Sequence, residues 1–160
     1  MEESLMKISV RAMAISALLL GSLVLAACGG GASSGAANGA IEIGTDGENL
    51  AYSTVALTAK AGEKVTLTFK NNSTAQSHNF IIVNGGDDVA TAVDEAAAEA
   101  GDAAGYVPAD ASTMIAHTAL LAPGASETIE FTAPAAGSYT FVCTYPGHYG
   151  GGMKGVLTVN

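Results

Sequence analysis

The sequence predicts an all-β domain: a Greek-key sandwich of about eight short strands in two sheets, with one short helical insertion. Three observations carry that expectation. Residues 41–160 hold short runs that alternate or are continuously apolar. Turn signals such as Ala61-Gly62, Asn71-Asn72-Ser73, Asn84-Gly85-Gly86 and Pro123-Gly124 separate them. A single stretch repeats its apolar residues at helical spacing. The segment is long enough for one hydrophobic core and too short for two.

Residues 1–27 read as a secretory signal peptide. Lys7 and Arg11 precede an apolar run over 12–27, broken by Ser16, Gly21 and Ser22 and too short for a comfortable membrane span. Its end, Leu25-Ala26-Ala27-Cys28-Gly29, resembles a bacterial lipoprotein signal, which implies that Cys28 becomes the lipid-modified N-terminus. Simple cleavage near Ala27, leaving a spare thiol, is the alternative. Glu2 and Glu3 fit poorly in a basic leader, so Met6 is an alternative start to Met1. Residues 28–40 are Gly, Ala and Ser after Cys28, with one Asn, and read as a lipid-anchored flexible tether. The domain over 41–160 would then be held at the outer, periplasmic face of the cell membrane.

Within the domain, strands are expected over 41–43, 55–58, 65–69, 78–83, 128–132, 138–143 and 156–159, with a weaker one over 113–121. Asp87-Asp88 opens the helical stretch. Val89, Ala92, Val93, Ala96, Ala97 and Ala100 form its apolar stripe, and Gly101 or Gly105 ends it. Asp94, Glu95 and Glu99 are expected towards water as a solvated face.

The chemistry concentrates in residues 143–153, Cys-Thr-Tyr-Pro-Gly-His-Tyr-Gly-Gly-Gly-Met, a Gly- and Pro-rich connection between the last two strands. Cys143, His148 and Met153 lie there at spacings of five and five, and His78 opens the apolar run His-Asn-Phe-Ile-Ile-Val. Sulfur with imidazole selects copper or zinc over magnesium or calcium, and two His, one Cys and a weak Met form the ligand set of a blue-copper site. Methionine decides for copper, because zinc usually takes Cys, His or carboxylate. His78, Cys143 and His148 would form the trigonal plane, with Met153 as the long axial ligand. His78, on a strand, should be buried. His148, in the loop, should bring one ring edge near the surface. Tyr145, Pro146, Tyr149 and Gly150-Gly151-Gly152 would form an uncharged rim around it.

The run Tyr-Thr-Phe-Val-Cys-Thr-Tyr-Pro-Gly-His-x4-Met resembles the copper loop of azurins, and residues 41–160 as a whole are similar to the auracyanin group of azurin-like blue-copper proteins. The resemblance implies the cupredoxin fold and one type 1 copper cycling between Cu(I) and Cu(II). It also implies hydrogen bonds from Asn79 and Thr144 that pin the loop to the strand, and no ligand role for His117. Azurins carry a glycine before the first His, where this chain has Ser77, and they carry a disulfide. Here the Cys count leaves none once Cys28 and Cys143 are assigned; a Cys28–Cys143 bridge would consume the copper thiolate.

The resemblance further implies single-electron transport between membrane redox complexes, in a photosynthetic or respiratory chain. The implied partners are a quinol-oxidising complex and a c-type cytochrome, and the carrier is expected to be monomeric. A periplasmic copper carrier or chaperone is the alternative reading. Enzyme readings lack residues: Cys143 is flanked by Val142 and Thr144 rather than the His pair of multicopper oxidases, and the chain has 3 His in all. Removing residues 1–27 leaves a net charge of −9 and no Arg, which argues against nucleic-acid binding and suits association with a basic partner.

Overall fold

The computed structural model describes residues 34–35 and 39–160. The signal peptide over 1–27 and the lipid candidate Cys28 lie outside the described residues. Strands β1 (Ser34–Gly35), β3 (Ala56–Ala59), β9 (Lys154–Val159), β8 (Gly137–Val142), β5 (Ile81–Val83) and β6 (Met114–His117) form one sheet in that order. β2 (Ala40–Gly44), β4 (Lys64–Lys70) and β7 (Ser126–Thr132) form the other. The chain crosses between sheets, so β2 pairs in parallel with β4, and β3 in parallel with β9. Within the segment expected as a tether, Ser34–Gly35 pairs with Leu57 and Thr58, and Ala40 belongs to β2. The reason is generic: strand pairing uses backbone N–H and C=O groups, which Gly, Ala and Ser all carry.

The sandwich interior follows from alternation. In β4, Val65, Leu67 and Phe69 are buried, while Thr66 and Thr68 face outward. They meet Ile41, Ile43, Leu57, Phe80, Ile82, Phe131, Phe141 and Leu157 in one core. Tyr52 stands edge-on to Phe69, Phe80 and Phe141 at ring separations of 5.9, 5.5 and 5.3 Å. Each fully buried Phe contributes about 1.5–3 kcal/mol through its apolar area.

The continuous apolar run at residues 80–83 has a simple cause: both faces of β5 are covered. Ile82 points into the sandwich, whereas Ile81 and Val83 join Val142 beneath helix α1 (Asp87–Ala100). The strand itself is shorter than the 78–83 expected, since His78 makes only an isolated bridge with Leu121. Likewise 113–121 yields β6 alone, preceded by a 3-10 turn at Ala111–Thr113.

α1 starts and stops as its sequence dictates, with Asp87 and Asp88 in the first turn and Gly101, φ +74°, receiving the chain at the end. Its buried face is corrected, however. Ala90, Val93 and Ala97 are buried, Ala92 and Ala96 are exposed, and Asp94 is half-buried. An alanine-rich helix carries too little hydrophobic contrast to mark its own inner face.

Candidate metal centre

Alternation along β8 puts Phe141 inside the sandwich and Val142 under the helix, so Cys143 again points inward, at the open end of the core. The following loop closes on itself. Met153 N–H donates to His148 O at 3.0 Å, His148 N–H to Tyr145 O at 3.0 Å, and Cys143 N–H to Met153 O at 3.2 Å. Gly147 and Gly152 take φ +83° and +100°, a region a side chain would resist. His78 arrives from the other direction, fixed by paired backbone bonds with Leu121 of 3.1 and 2.8 Å.

These elements bring three donors together. Cys143 Sγ lies 3.8 Å from His78 Nδ1 and 3.5 Å from His148 Nδ1. The three ligand atoms are within 4.8 Å of one another, and all three residues are buried. The two sulfur-to-nitrogen spacings suit bonds of about 2.0–2.3 Å meeting at one centre. His78 is 1 % exposed and His148 4 %, so less of His148 reaches the surface than its place in a loop suggested. Met153, fully buried, belongs to the same cluster as Cys143. His117 is exposed on β6, its Nδ1 3.2 Å from Thr118 O, and lies outside the cluster.

Burial prepares the donors differently. Desolvation, helped by the charge of His148, brings the His78 pKa from 6.5 down to about 4, and desolvation lowers His148 too. Both imidazoles therefore keep a free lone pair at neutral pH. Desolvation pushes the Cys143 thiol from 9.0 to about 11, against backbone N–H groups of Asn79 and Tyr145 that favour the thiolate. Metal binding must displace that thiol proton.

The supports around the ligands are dense. Asn79 Oδ1 accepts Thr144 N–H at 2.9 Å, and Asn79 Nδ2 donates to Thr144 Oγ1 at 2.9 Å. The bonds tie the residue after His78 to the residue after Cys143. Three further residues went unnoticed in the sequence. Tyr52, buried beneath the site, donates its hydroxyl to Asn79 O at 2.9 Å. Glu48 accepts Thr74 N–H at 2.6 Å and Ser73 Oγ–H at 2.7 Å, holding the loop that leads into His78. Tyr106 O accepts the Thr144 hydroxyl at 2.6 Å. Only the Asn-Asn-Ser-Thr turn chemistry at 71–74 hinted at such anchoring; nothing local marks Tyr52 or Tyr106.

The pKa directions fix the pH dependence of the metal-free domain. His78 binds its proton more readily in the unfolded chain, so stability should fall as pH drops from 6.5 towards 4. Cys143 holds its proton more firmly when folded, so stability should fall again as pH rises from 9 towards 11. Each unit of separation is worth about 1.4 kcal/mol. Urea midpoints across pH should plateau between these limits, and His78→Gln should flatten the acid limb. An acid limb unchanged in that variant would refute the assignment.

A buried thiol and two neutral imidazoles at one end of a two-sheet Greek-key sandwich define a blue-copper cupredoxin, and the donor set fits a single type 1 copper. The chain belongs to the copper-binding proteins of the plastocyanin/azurin family, which it matches over residues 39–160. Within that family it is similar to auracyanins. It is 47 % identical to Auracyanin-A of Chloroflexus aurantiacus over 97 % of this chain and 100 % of that protein. The crystal structure of dithionite-reduced auracyanin from the photosynthetic bacterium Roseiflexus castenholzii is 58 % identical, covering 78 % of this chain and 99 % of that one, with a TM-score of 0.76. The structure of auracyanin A, the "blue" copper protein of Chloroflexus aurantiacus, is 46 % identical over 79 % of this chain and 100 % of its own, with a TM-score of 0.73.

Proposed function

We propose that this chain is a single-electron carrier, and that one type 1 copper would be held by His78, Cys143, His148 and Met153. Bound there, copper supplies reversible one-electron chemistry between Cu(I) and Cu(II). The observation that carries the reading is the convergence of Cys143 Sγ on two imidazole Nδ1 atoms, 3.8 and 3.5 Å away, inside a closed and buried site. The protein's part is rigidity. His78 is fixed to Leu121, the loop to itself, and the two together by Asn79 and Thr144, so the ligands have little room to rearrange.

The Met153 assignment is supported by its burial beside Cys143 and its backbone bonds to Cys143 and His148. Met153→Gln should keep copper yet lower the midpoint potential, because an oxygen donor favours Cu(II). A fall of about 59 mV would correspond to a tenfold change in the relative stability of the two oxidation states. Redox titration tests it, and an unchanged midpoint would remove Met153 from the site.

Electron exchange at the His148 end is supported by the exposed, uncharged Pro146, Gly147 and Gly150 to Gly152 that flank it in the loop. We assign the carrier to the outer face of the cell membrane, anchored through lipidated Cys28, and to a chain running from a quinol-oxidising complex to a c-type cytochrome. The lipoprotein-like leader, the net charge of −9 and the photosynthetic source of a similar auracyanin support this placement. Intact mass of the mature protein tests the anchor: an unmodified Cys28 would remove it.

Visible and EPR spectra of residues 29–160 with Cu(II), then ascorbate, test the central reading. An intense thiolate-to-copper band that bleaches and returns is the expected result. A colourless protein that binds Cu(I) or Zn(II) would overturn it in favour of a metal carrier.

A further inference from the structure

The segment after α1 reaches the metal loop through one residue in an unusual conformation. Tyr106 has φ +54° and is the one non-glycine residue with positive φ among those described. It follows Gly105, φ +63°. Two consecutive residues thus take positive φ. Both carbonyls face the Asn79 side chain: its Nδ2 lies 3.2 Å from Gly105 O and 3.4 Å from Tyr106 O. Tyr106 O also accepts the Thr144 hydroxyl at 2.6 Å. The Asn79–Thr144 pair is thus clasped from a third side.

Glycine adopts a positive φ without strain, as at the neighbouring Gly105. A tyrosine there points to work for its side chain. Its ring packs edge-on against Tyr145 at 5.4 Å and 72°, Tyr145 lies 4.8 Å from His148, and His148 lies 4.7 Å from His78. Four rings stand in a row, ending on two of the metal donors. The Tyr106 hydroxyl makes no hydrogen bond among the described residues, so contact is through the ring face and edge.

We propose that Tyr106 is a positioning residue for the metal loop, its carbonyl holding Thr144 beside Cys143 and its ring bracing Tyr145 against His148. The proposal rests on the ligand reading given above. It makes the segment that follows α1 a structural partner of the metal site.

Tyr106→Gly and Tyr106→Phe separate the possibilities. Tyr106→Gly keeps both carbonyls, deletes the ring and removes the strain. The metal-free variant should melt at or above the wild-type temperature while binding copper about tenfold more weakly in a chelator competition, with an altered visible spectrum. Tyr106→Phe, which keeps the ring, should match the wild type in both. Copper affinity within about twofold of wild type in Tyr106→Gly would overturn the proposal, leaving the ring a strained bystander. So would an equal loss in Tyr106→Phe, or a lowered metal-free melting temperature in Tyr106→Gly, which would mark a general structural role. Failure of the ligand reading is distinguishable, because it shows in the wild type as absence of copper-dependent colour.

Discussion

Cys143→Ser is expected to yield a folded protein that stays colourless with Cu(II) and binds it far more weakly. The intense band needs a thiolate bonded to copper, and Cys143 is the one cysteine of the described residues. Serine is smaller, and its hydroxyl stays protonated beside two neutral imidazoles, so it neither supplies charge nor matches the softness of sulfur. The thermal readout is equally direct. A ligand at a thousand times its Kd stabilises a fold by about 4 kcal/mol, and the copper-induced rise in Tm should vanish in the variant. Circular dichroism of the metal-free protein separates ligand loss from unfolding. Retention of the blue band would refute Cys143 as a ligand.

Gly155→Val should be the most damaging single change to the fold. Gly155 lies in β9 directly opposite Phe141 in β8. A Cβ at Gly155 would overlap Phe141 Cζ and stand 2.7 Å from Val55 O. Neither neighbour can retreat. Phe141 is fully buried, 5.1 Å from Phe80 and 5.3 Å from Tyr52, and Val55 O accepts Val156 N–H at 2.8 Å. Overpacking in so tight a core costs about 1–3 kcal/mol or more, and valine adds two methyl groups to the clash. Because Phe141 precedes Cys143 by two residues and Gly155 follows Met153 by two, copper binding should weaken with stability. Urea denaturation measures the loss; a change within about 0.5 kcal/mol, as at an ordinary surface site, would show that the strands part freely there.

Both predictions expose the limit of reading one dimension. Gly155 is an ordinary glycine at the start of a strand until the aromatic ring across from it is seen. Tyr52 and Tyr106 likewise carry no local signature, since their partners are Asn79 and Thr144, 27 and 38 residues away respectively. Tyr106 reaches the metal loop only because α1, which precedes it, is laid against β5 and β8.

What the sequence determined by itself was everything set by local spacing or by chemical identity. The period of two marked β2, β4 and β7, because a strand with one buried face must alternate. Asp87, Asp88 and Gly101 bounded α1 because helix ends need acids and left-handed glycine. The types and spacing of Cys143, His148 and Met153 singled out copper, because softness belongs to the side chain and not to the fold. The tertiary structure decided the rest. It chose which face of an alanine-rich helix is buried, how deep His148 sits, and which distant carbonyls and rings hold the donors in place. Those depend on packing between segments far apart in the chain, where a backbone carbonyl has no residue identity for a sequence to display.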